Sequence, residues 1–293
     1  MSGHLVRQAA EARFEPGAGK GFSRWAVLDE TTPAAVHTGF GICALEPGGA
    51  VPAHVHSYEE SFFVLSGPVV LRTADGAHLL RAGDYGVLPV GLPHAWQATG
   101  DGTARWADML APQPRSRFGS DTYGVALPLD DRAPAPVDVR DPRSRLLGHI
   151  EPANMEVGRQ SQNLLAVSAS MRTALLVYSG ITVKMMVDSD LGATLATMFM
   201  VQDDADGVAG PHDHPFEETY YFLEGEAEGR FDDEVHRLCP GDVAFAGVGC
   251  VHAFRNVGGG PLRWLETQAP QPPGRYSYRF RRDWEYLEGH SNA

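Results

Sequence analysis

The chain has 293 residues, enough for two domains of ordinary size, and its 43% hydrophobic and 21% charged residues are typical of a globular protein. Its 24 basic and 37 acidic residues leave a net charge of -13, which repels phosphate backbones and anionic lipids. We therefore expect neither nucleic acid nor a membrane as a partner. The three cysteines, Cys43, Cys239 and Cys250, are too few and too widely spaced for a disulfide framework or a structural zinc site.

The amino terminus predicts no export signal. Residues 1–17 lack the apolar stretch of a secretory signal peptide, and no apolar run in the chain approaches the ~20 residues of a membrane-spanning helix. A cytoplasmic protein is the expectation.

The first half of the chain has the pattern of an all-β domain. Residues 39–49, 61–67, 68–73 and 85–90 are short apolar or alternating runs punctuated by glycine and proline, which predicts strands. Many short antiparallel strands must close into a sandwich or barrel, since otherwise their sheet edges stay bare. We place this domain at residues 1–120 and expect few helices.

A linker and a second all-β domain follow. Residues 126–145 are rich in proline and aspartate without a sustained hydrophobic period, which predicts an extended linker that we place at 121–160. Strand-like runs return at 194–201, 219–225 and 242–248. These runs predict a second domain over residues 161–293.

The two predicted domains are copies of each other. Identical residues recur at a constant offset of 158 positions (212 − 54 = 252 − 94 = 158), and the register continues without a gap to the APQP segments at 111–114 and 269–272. A constant offset over this length of sequence is not expected by chance. The sequence therefore contains a duplicated domain.

Each copy contains the pattern His-x-His-x-x-x-Glu followed by a distant histidine. Strand residues two positions apart point to the same face, so the paired imidazoles converge. Three imidazoles and a carboxylate inside a barrel suit a divalent transition metal with open positions, such as Fe, Mn, Ni, Co or Cu, better than a closed zinc site. We expect up to two metal ions per chain, one held by His54, His56, Glu60 and His94 and the other by His212, His214, Glu218 and His252.

Two further glutamates, Glu59 and Glu217, precede the ligand glutamates by one residue. Strand alternation points them away from the metals. A surface role is therefore expected for both.

These residues resemble the two motifs of the cupin superfamily, and their duplication resembles a bicupin. The first motif, a glycine, His-x-His, glutamate and a second glycine, is carried by Gly48, His54, His56, Glu60 and Gly67. In the second copy it is carried by His212, His214, Glu218 and Gly225, with the leading glycine shifted to Gly207. The second motif is carried by Gly83, Pro89, Gly91 and His94, with Ala98 in place of its final asparagine, and by Gly241, Gly247 in place of the proline, Gly249, His252 and Asn256.

The resemblance covers roughly residues 40–114 and 198–272. It implies a jelly-roll barrel for each half, with the metal in the barrel interior. Cupins commonly pair their barrels, so the resemblance implies either a homodimer or pairing within one bicupin chain.

The residues two and four positions beyond the ligands define the expected pocket walls. They are Phe62, Val64, Trp96 and Ala98 in the first barrel and Tyr220, Phe222, Phe254 and Asn256 in the second. Such apolar walls around a metal predict a small-molecule substrate. Tyr220 and Asn256 can orient a substrate oxygen or move a proton, so they are the candidate catalytic residues. If only one site turns over substrate, the carboxy-terminal site is the expected one.

The resemblance implies several possible activities. The leading hypothesis is an oxidoreductase of the dioxygenase type, because the complete glutamates resemble quercetinase-like sites more than gentisate dioxygenase sites. The alternatives are a decarboxylase or lyase resembling oxalate decarboxylase, a metal-dependent hydrolase or isomerase, and a non-catalytic small-molecule-binding cupin. Oxalate decarboxylases place an arginine three positions before the first ligand histidine, where this chain has Val51 and Ala209.

Overall fold

A computed structural model describes residues 3–126, 128–156, 172–176, 180–205, 207–271 and 279–280. These residues form 24 strands, together with short 3-10 helices at Ala9–Glu11, Ser116–Asp121, Pro142–Ser144 and Pro152–Met155. The prediction of an all-β protein with two jelly-roll barrels and few helices is confirmed. No helix in the described part of the chain is long and apolar enough to cross a membrane.

The first barrel is a single curled sheet of 12 strands. Its longest strand is bent, so that residues 39–45 pair with one neighbour and residues 50–54 with another. The segment predicted as a linker adds three short strands to this barrel. The strands up to residue 149 are β1 (His4–Arg7), β2 (Glu15–Pro16), β3 (Lys20–Leu28), β4 (Gly39–His56), β5 (Glu59–Ser66), β6 (Val69–Thr73), β7 (Ala77–Leu80), β8 (Asp84–Leu88), β9 (His94–Ala98), β10 (Ala104–Ala111), β11 (Thr122–Gly124), β12 (Ala135–Pro136) and β13 (Leu147–His149).

The second barrel consists of a seven-stranded and a five-stranded sheet. The strand that corresponds to β4 is divided here into two, β16 and β17, one in each sheet. The strands from residue 172 onward are β14 (Arg172–Leu176), β15 (Ile181–Val187), β16 (Thr197–Asp203), β17 (Val208–Asp213), β18 (Glu217–Glu224), β19 (Ala227–Phe231), β20 (Glu234–Leu238), β21 (Val243–Ala246), β22 (His252–Asn256), β23 (Leu262–Ala269) and β24 (Arg279–Phe280).

The two halves exchange edge strands. Strand β1, which precedes the first barrel, pairs antiparallel with β21 of the second barrel. Strand β13, which precedes the second barrel, pairs antiparallel with β8 of the first. Strands β8 and β21 occupy the same position in the repeat, so the exchange is reciprocal. Each half thus covers a sheet edge that the other would otherwise leave bare.

The barrels pack against each other within one chain. The apolar cluster between them includes Phe40, Tyr85 and Met109 from the first half and Met198 and Phe245 from the second. Separate apolar clusters fill the two barrel interiors. Pairing within one chain is one of the two arrangements that the cupin resemblance implied.

The expected surface role of Glu59 and Glu217 is wrong. Both side chains are only 1% exposed. Glu59 accepts hydrogen bonds from the backbone N–H groups of residues 194–196 in the second half, at 2.8–3.2 Å. Glu217 accepts them from residues 36–38 in the first half, at 2.7–3.1 Å. Alternation does point these carboxylates away from the metals, but the outer face that they reach is covered by the other barrel.

Candidate metal centres

The second barrel brings four predicted ligands together. The ligand atoms of His212, His214, Glu218 and His252 all lie within 4.8 Å of one another. His212 and His252 are opposite each other in the pairing of β17 with β22. The turn before His252 is tied to the His-x-His strand, because Gly249 donates its N–H to the His214 carbonyl at 3.1 Å.

The first barrel repeats this geometry for its three histidines. The ligand atoms of His54, His56 and His94 lie within 4.8 Å of one another. Their ring centroids are 4.2, 4.7 and 5.7 Å apart, and the corresponding distances in the second barrel are 4.4, 4.9 and 5.9 Å. Glu60 lies outside this group of ligand atoms, although its Oε2 is 3.1 Å from the Nε2 of His56.

All six histidines have the same hydrogen-bonding pattern. Each Nδ1 lies 2.7–3.0 Å from a backbone carbonyl oxygen two residues away, to which it donates. This bond fixes the tautomer, so that the lone pair is on Nε2 and faces the centre of each site.

The donor set fits a divalent metal. The Nε2 atom of His94 is buried and has no hydrogen-bond partner within the described ranges. A buried acceptor without a partner costs free energy, which a metal ion would recover. Three neutral imidazoles with a carboxylate beside them form a ligand set typical of Fe, Mn, Ni, Co or Cu.

Comparison with known proteins identifies the family of both barrels. The cupin domain family matches the chain twice, at residues 41–110 and 199–267. Protein SchB of Streptomyces halstedii is 33% identical over 140 residues, which are 47% of this chain and 99% of that protein. This chain is a bicupin. The polyketide synthase CurC of Streptomyces cyaneus is 28% identical over 123 residues, 41% of this chain and 80% of that protein.

A solved structure confirms the two-barrel architecture. The oxalate decarboxylase of Lactobacillus farciminis, in a formate complex, has a TM-score of 0.65 and 19% identity, with coverage of 99% of this chain and 94% of that one. At this identity the likeness establishes the fold of the bicupin and not its activity.

The two glutamates of the bicupin are supported differently. Glu218 Oε1 accepts a hydrogen bond from Gln268 Nε2 at 2.5 Å, and its Oε2 accepts one from the hydroxyl of Tyr220. Burial alone would raise the pKa of Glu218, but His214 and hydrogen bonds hold it well below its ordinary value. In the first barrel Phe62 and Leu110 occupy the positions of Tyr220 and Gln268, and neither can donate a hydrogen bond. The second carboxylate is therefore better fixed than the first.

The two predicted catalytic residues have different positions. The Tyr220 hydroxyl is 2.8 Å from His252 Nε2, so it lies within the ligand group. Asn256 does not reach the ligands. Its Nδ2 donates to the carbonyls of Asp204 and Gly260, and its Oδ1 accepts from the N–H of Gly258, all within 2.9 Å. These bonds indicate that Asn256 supports a turn, roughly 13 Å along the strand from His252.

A cavity of about 820 Å³ adjoins the first site and is lined by His54, Glu60, Trp96 and Trp106. The cavity also contains Arg24, which the sequence did not single out. Arg24 lies on β3, outside the region covered by the repeat motifs, and nothing in its local pattern distinguishes it from a surface arginine.

Proposed function

We propose that this bicupin is a metal-dependent oxidoreductase of the dioxygenase type that acts on a small organic substrate. Each barrel holds one divalent transition metal ion, Fe, Mn, Ni, Co or Cu, through the four predicted residues. The observation that carries the proposal is the convergence of three imidazole Nε2 atoms beside an aromatic-walled cavity of about 820 Å³. A cavity of this size suits a drug-sized organic molecule.

The residues around each metal centre have different roles in such a reaction. A metal ion held there would supply a redox-active, Lewis-acidic centre with open coordination positions. The carbonyl bonds to Nδ1 keep the imidazoles oriented, and burial lowers the pKa of His54 and of His94, which favours their neutral form. Phe62 and Trp96, both at most 3% exposed, exclude water from the interior. In the second barrel the Tyr220 hydroxyl can give a proton to a substrate oxygen. Tyr220 therefore remains a candidate catalytic residue.

The name of one relative agrees with a substrate rich in oxygen atoms. CurC is named a polyketide synthase. Polyketides present β-diketone, enol and phenol oxygens, which bind well to a metal with open positions. This agreement supports the proposed substrate class.

A decarboxylase or lyase is the second candidate, because the fold is shared with oxalate decarboxylase and an arginine lies in the first cavity. That guanidinium is already paired with Asp108, however. The cavity is also much larger than a two-carbon dicarboxylate requires. These two facts favour the oxidoreductase.

Metal analysis and an oxygen electrode test the proposal. The protein is purified without added metal or chelator and screened against catechols, flavonols, β-diketones and dicarboxylates. Oxygen uptake that is lost in a His54→Ala or a His212→Ala variant supports the dioxygenase. Release of CO2 from a dicarboxylate without net oxygen uptake would establish the lyase instead. Hydrolysis or isomerisation without either would refute both, and ligand binding without turnover would indicate a binding protein.

A further inference from the structure

The first barrel contains a polar group that the second barrel lacks. Arg24 and Val183 are equivalent, because they lie opposite Cys43 and Val201, which are separated by the repeat offset of 158. The same offset relates three further pairs. The first barrel has Arg24, Gly41, Cys43 and Asp108 where the second has Val183, Phe199, Val201 and Glu266.

These residues form one hydrogen-bonded unit. Arg24 donates from Nε and Nη2 to the two oxygens of Asp108, at 2.7 and 2.6 Å, and the Cys43 thiol lies 3.1 Å from the same carboxylate. Gly41 makes room for the guanidinium, because a Cβ at this position would lie 2.6 Å from the Cζ of Arg24. Arg24 Nη1 makes no hydrogen bond within the part of the chain that the structure describes.

A tryptophan beside this unit also differs between the barrels. In the second barrel Trp264 Nε1 donates to Glu266 at 2.9 Å. In the first, Trp106 is 1% exposed and its Nε1 has no hydrogen-bond partner among the described residues. Asp108, the counterpart of Glu266, is one methylene shorter and is bound by Arg24. The indole N–H of Trp106 is therefore a buried donor without an acceptor.

Stability does not explain this arrangement. A buried ion pair contributes little net free energy compared with apolar packing, and an unsatisfied buried donor is unfavourable. The second barrel shows that the same fold accommodates apolar residues at three of the four positions. Arg24 and Trp106 both line the cavity that adjoins His54 and Glu60. Unused donors beside a candidate metal site indicate a ligand with an oxygen acceptor.

The walls of the cavity define the rest of the ligand. Trp106 stacks on Trp96 with ring centroids 4.7 Å apart and on Phe22 with centroids 6.0 Å apart, and all three rings line the cavity. Flat apolar walls favour a planar ring, and the two N–H donors favour a phenolic, enolic or carbonyl oxygen on it.

We infer that the amino-terminal barrel is the ligand-binding barrel for a planar aromatic molecule that carries an acceptor oxygen. Trp106 and Arg24 are its specificity-determining residues. The inference rests on the proposed function for the ligand to be a substrate, but binding itself does not depend on turnover. It differs from the sequence-based expectation of a carboxy-terminal active site, which depended partly on Asn256.

Equilibrium dialysis of the full-length metal-loaded protein under nitrogen tests the inference. The probes are 2-naphthol and 2-methylnaphthalene, which share the ring system and differ in the oxygen. The parent protein should bind 2-naphthol more tightly. Trp106→Phe should weaken 2-naphthol binding about tenfold and leave 2-methylnaphthalene binding unchanged, because it removes one hydrogen bond and keeps an aromatic ring. The matched variant Trp264→Phe should change neither affinity.

A second variant covers the case in which Trp106→Phe does not fold. Asp108→Glu gives the indole the acceptor that Trp264 already has, and it should weaken 2-naphthol binding while Trp106 stays in place. No preference for 2-naphthol in the parent protein, or equal effects of Trp106→Phe on both probes, would overturn the inference. If 2-naphthol binds as described but no substrate class causes oxygen uptake, the proposed dioxygenase fails and the binding site stands. Oxygen uptake that is unaffected by Trp106→Phe would support the dioxygenase and overturn the inference about Trp106.

Discussion

The different support of the two ligand glutamates predicts metal sites of different affinity. Glu218 accepts hydrogen bonds from Tyr220 and Gln268, whereas Glu60 has Phe62 and Leu110 at these positions. Removing groups that hold a metal ligand in place typically lowers metal affinity 10–100-fold, which is about 1.4–2.8 kcal/mol. The double variant Tyr220→Phe with Gln268→Leu should therefore weaken the second site by this factor and make it resemble the first.

The measurement requires each site alone. In a His54→Ala background only the second site binds metal, and its affinity is obtained by titration against a chelator of known strength. The reverse exchange, Phe62→Tyr with Leu110→Gln in a His212→Ala background, should tighten the first site and serves as the matched control. If the Tyr220 and Gln268 substitutions leave the affinity of the second site unchanged, the hydrogen bonds to Glu218 do not prepare it for metal binding.

Three further predictions concern metal content, domain pairing and pH. The chain should contain about two metal ions by mass spectrometry, and one ion per fully loaded chain would contradict this. Chelation should lower the thermal midpoint without abolishing the strand-type circular dichroism, because each barrel has its own apolar core. Glu59→Gln or Glu217→Gln should each reduce the unfolding free energy by about 2–4 kcal/mol, because three partly or fully buried N–H groups lose a charged acceptor. The exposed Glu15→Gln is the control in urea unfolding. In the metal-free chain burial lowers the pKa of His94 well below its ordinary value and that of His212 to about 3, so below about pH 6.5 these two side chains bind more protons in the unfolded state than in the folded state. The stability that these two histidines contribute in the presence of chelator should therefore fall from pH 7.5 to pH 5. A urea midpoint that rises over this range relative to a His94→Asn, His212→Asn variant would contradict this.

Much of the architecture could be predicted from the sequence because it depends on local periodicity. The duplication follows from residues in constant register, and the inward direction of His54 and His56 follows from strand alternation. The same alternation correctly predicted that the Glu59 side chain points away from the metal. It could not show what that carboxylate would meet, because packing of one barrel on the other depends on contacts between residues far apart in the chain.

The hydrogen-bonded unit in the first barrel could not be predicted from the sequence for a related reason. Arg24, Cys43 and Asp108 lie on three different strands, and only the pairing of β3, β4 and β10 brings them together. The position of Asn256 in the strand pattern likewise does not reveal that its amide is used by the turn. Strand pairing across a sheet and hydrogen bonds within a turn are both tertiary properties, which periodicity alone does not contain.

The reciprocal exchange of β1 and β13 indicates how a chain with two barrels could arise. An arm that leaves one subunit and completes the sheet of an identical partner is the mark of a domain-swapped homodimer. SchB, which this chain covers over 99% of its length with 140 residues, has the size of one such subunit. The bicupin has the form of that dimer joined into one polypeptide. Joining frees the two halves from symmetry, since a substitution in a homodimer changes both sites at once. Arg24, Gly41 and Asp108 each occur in one half alone, a difference that a dimer of identical subunits could not have.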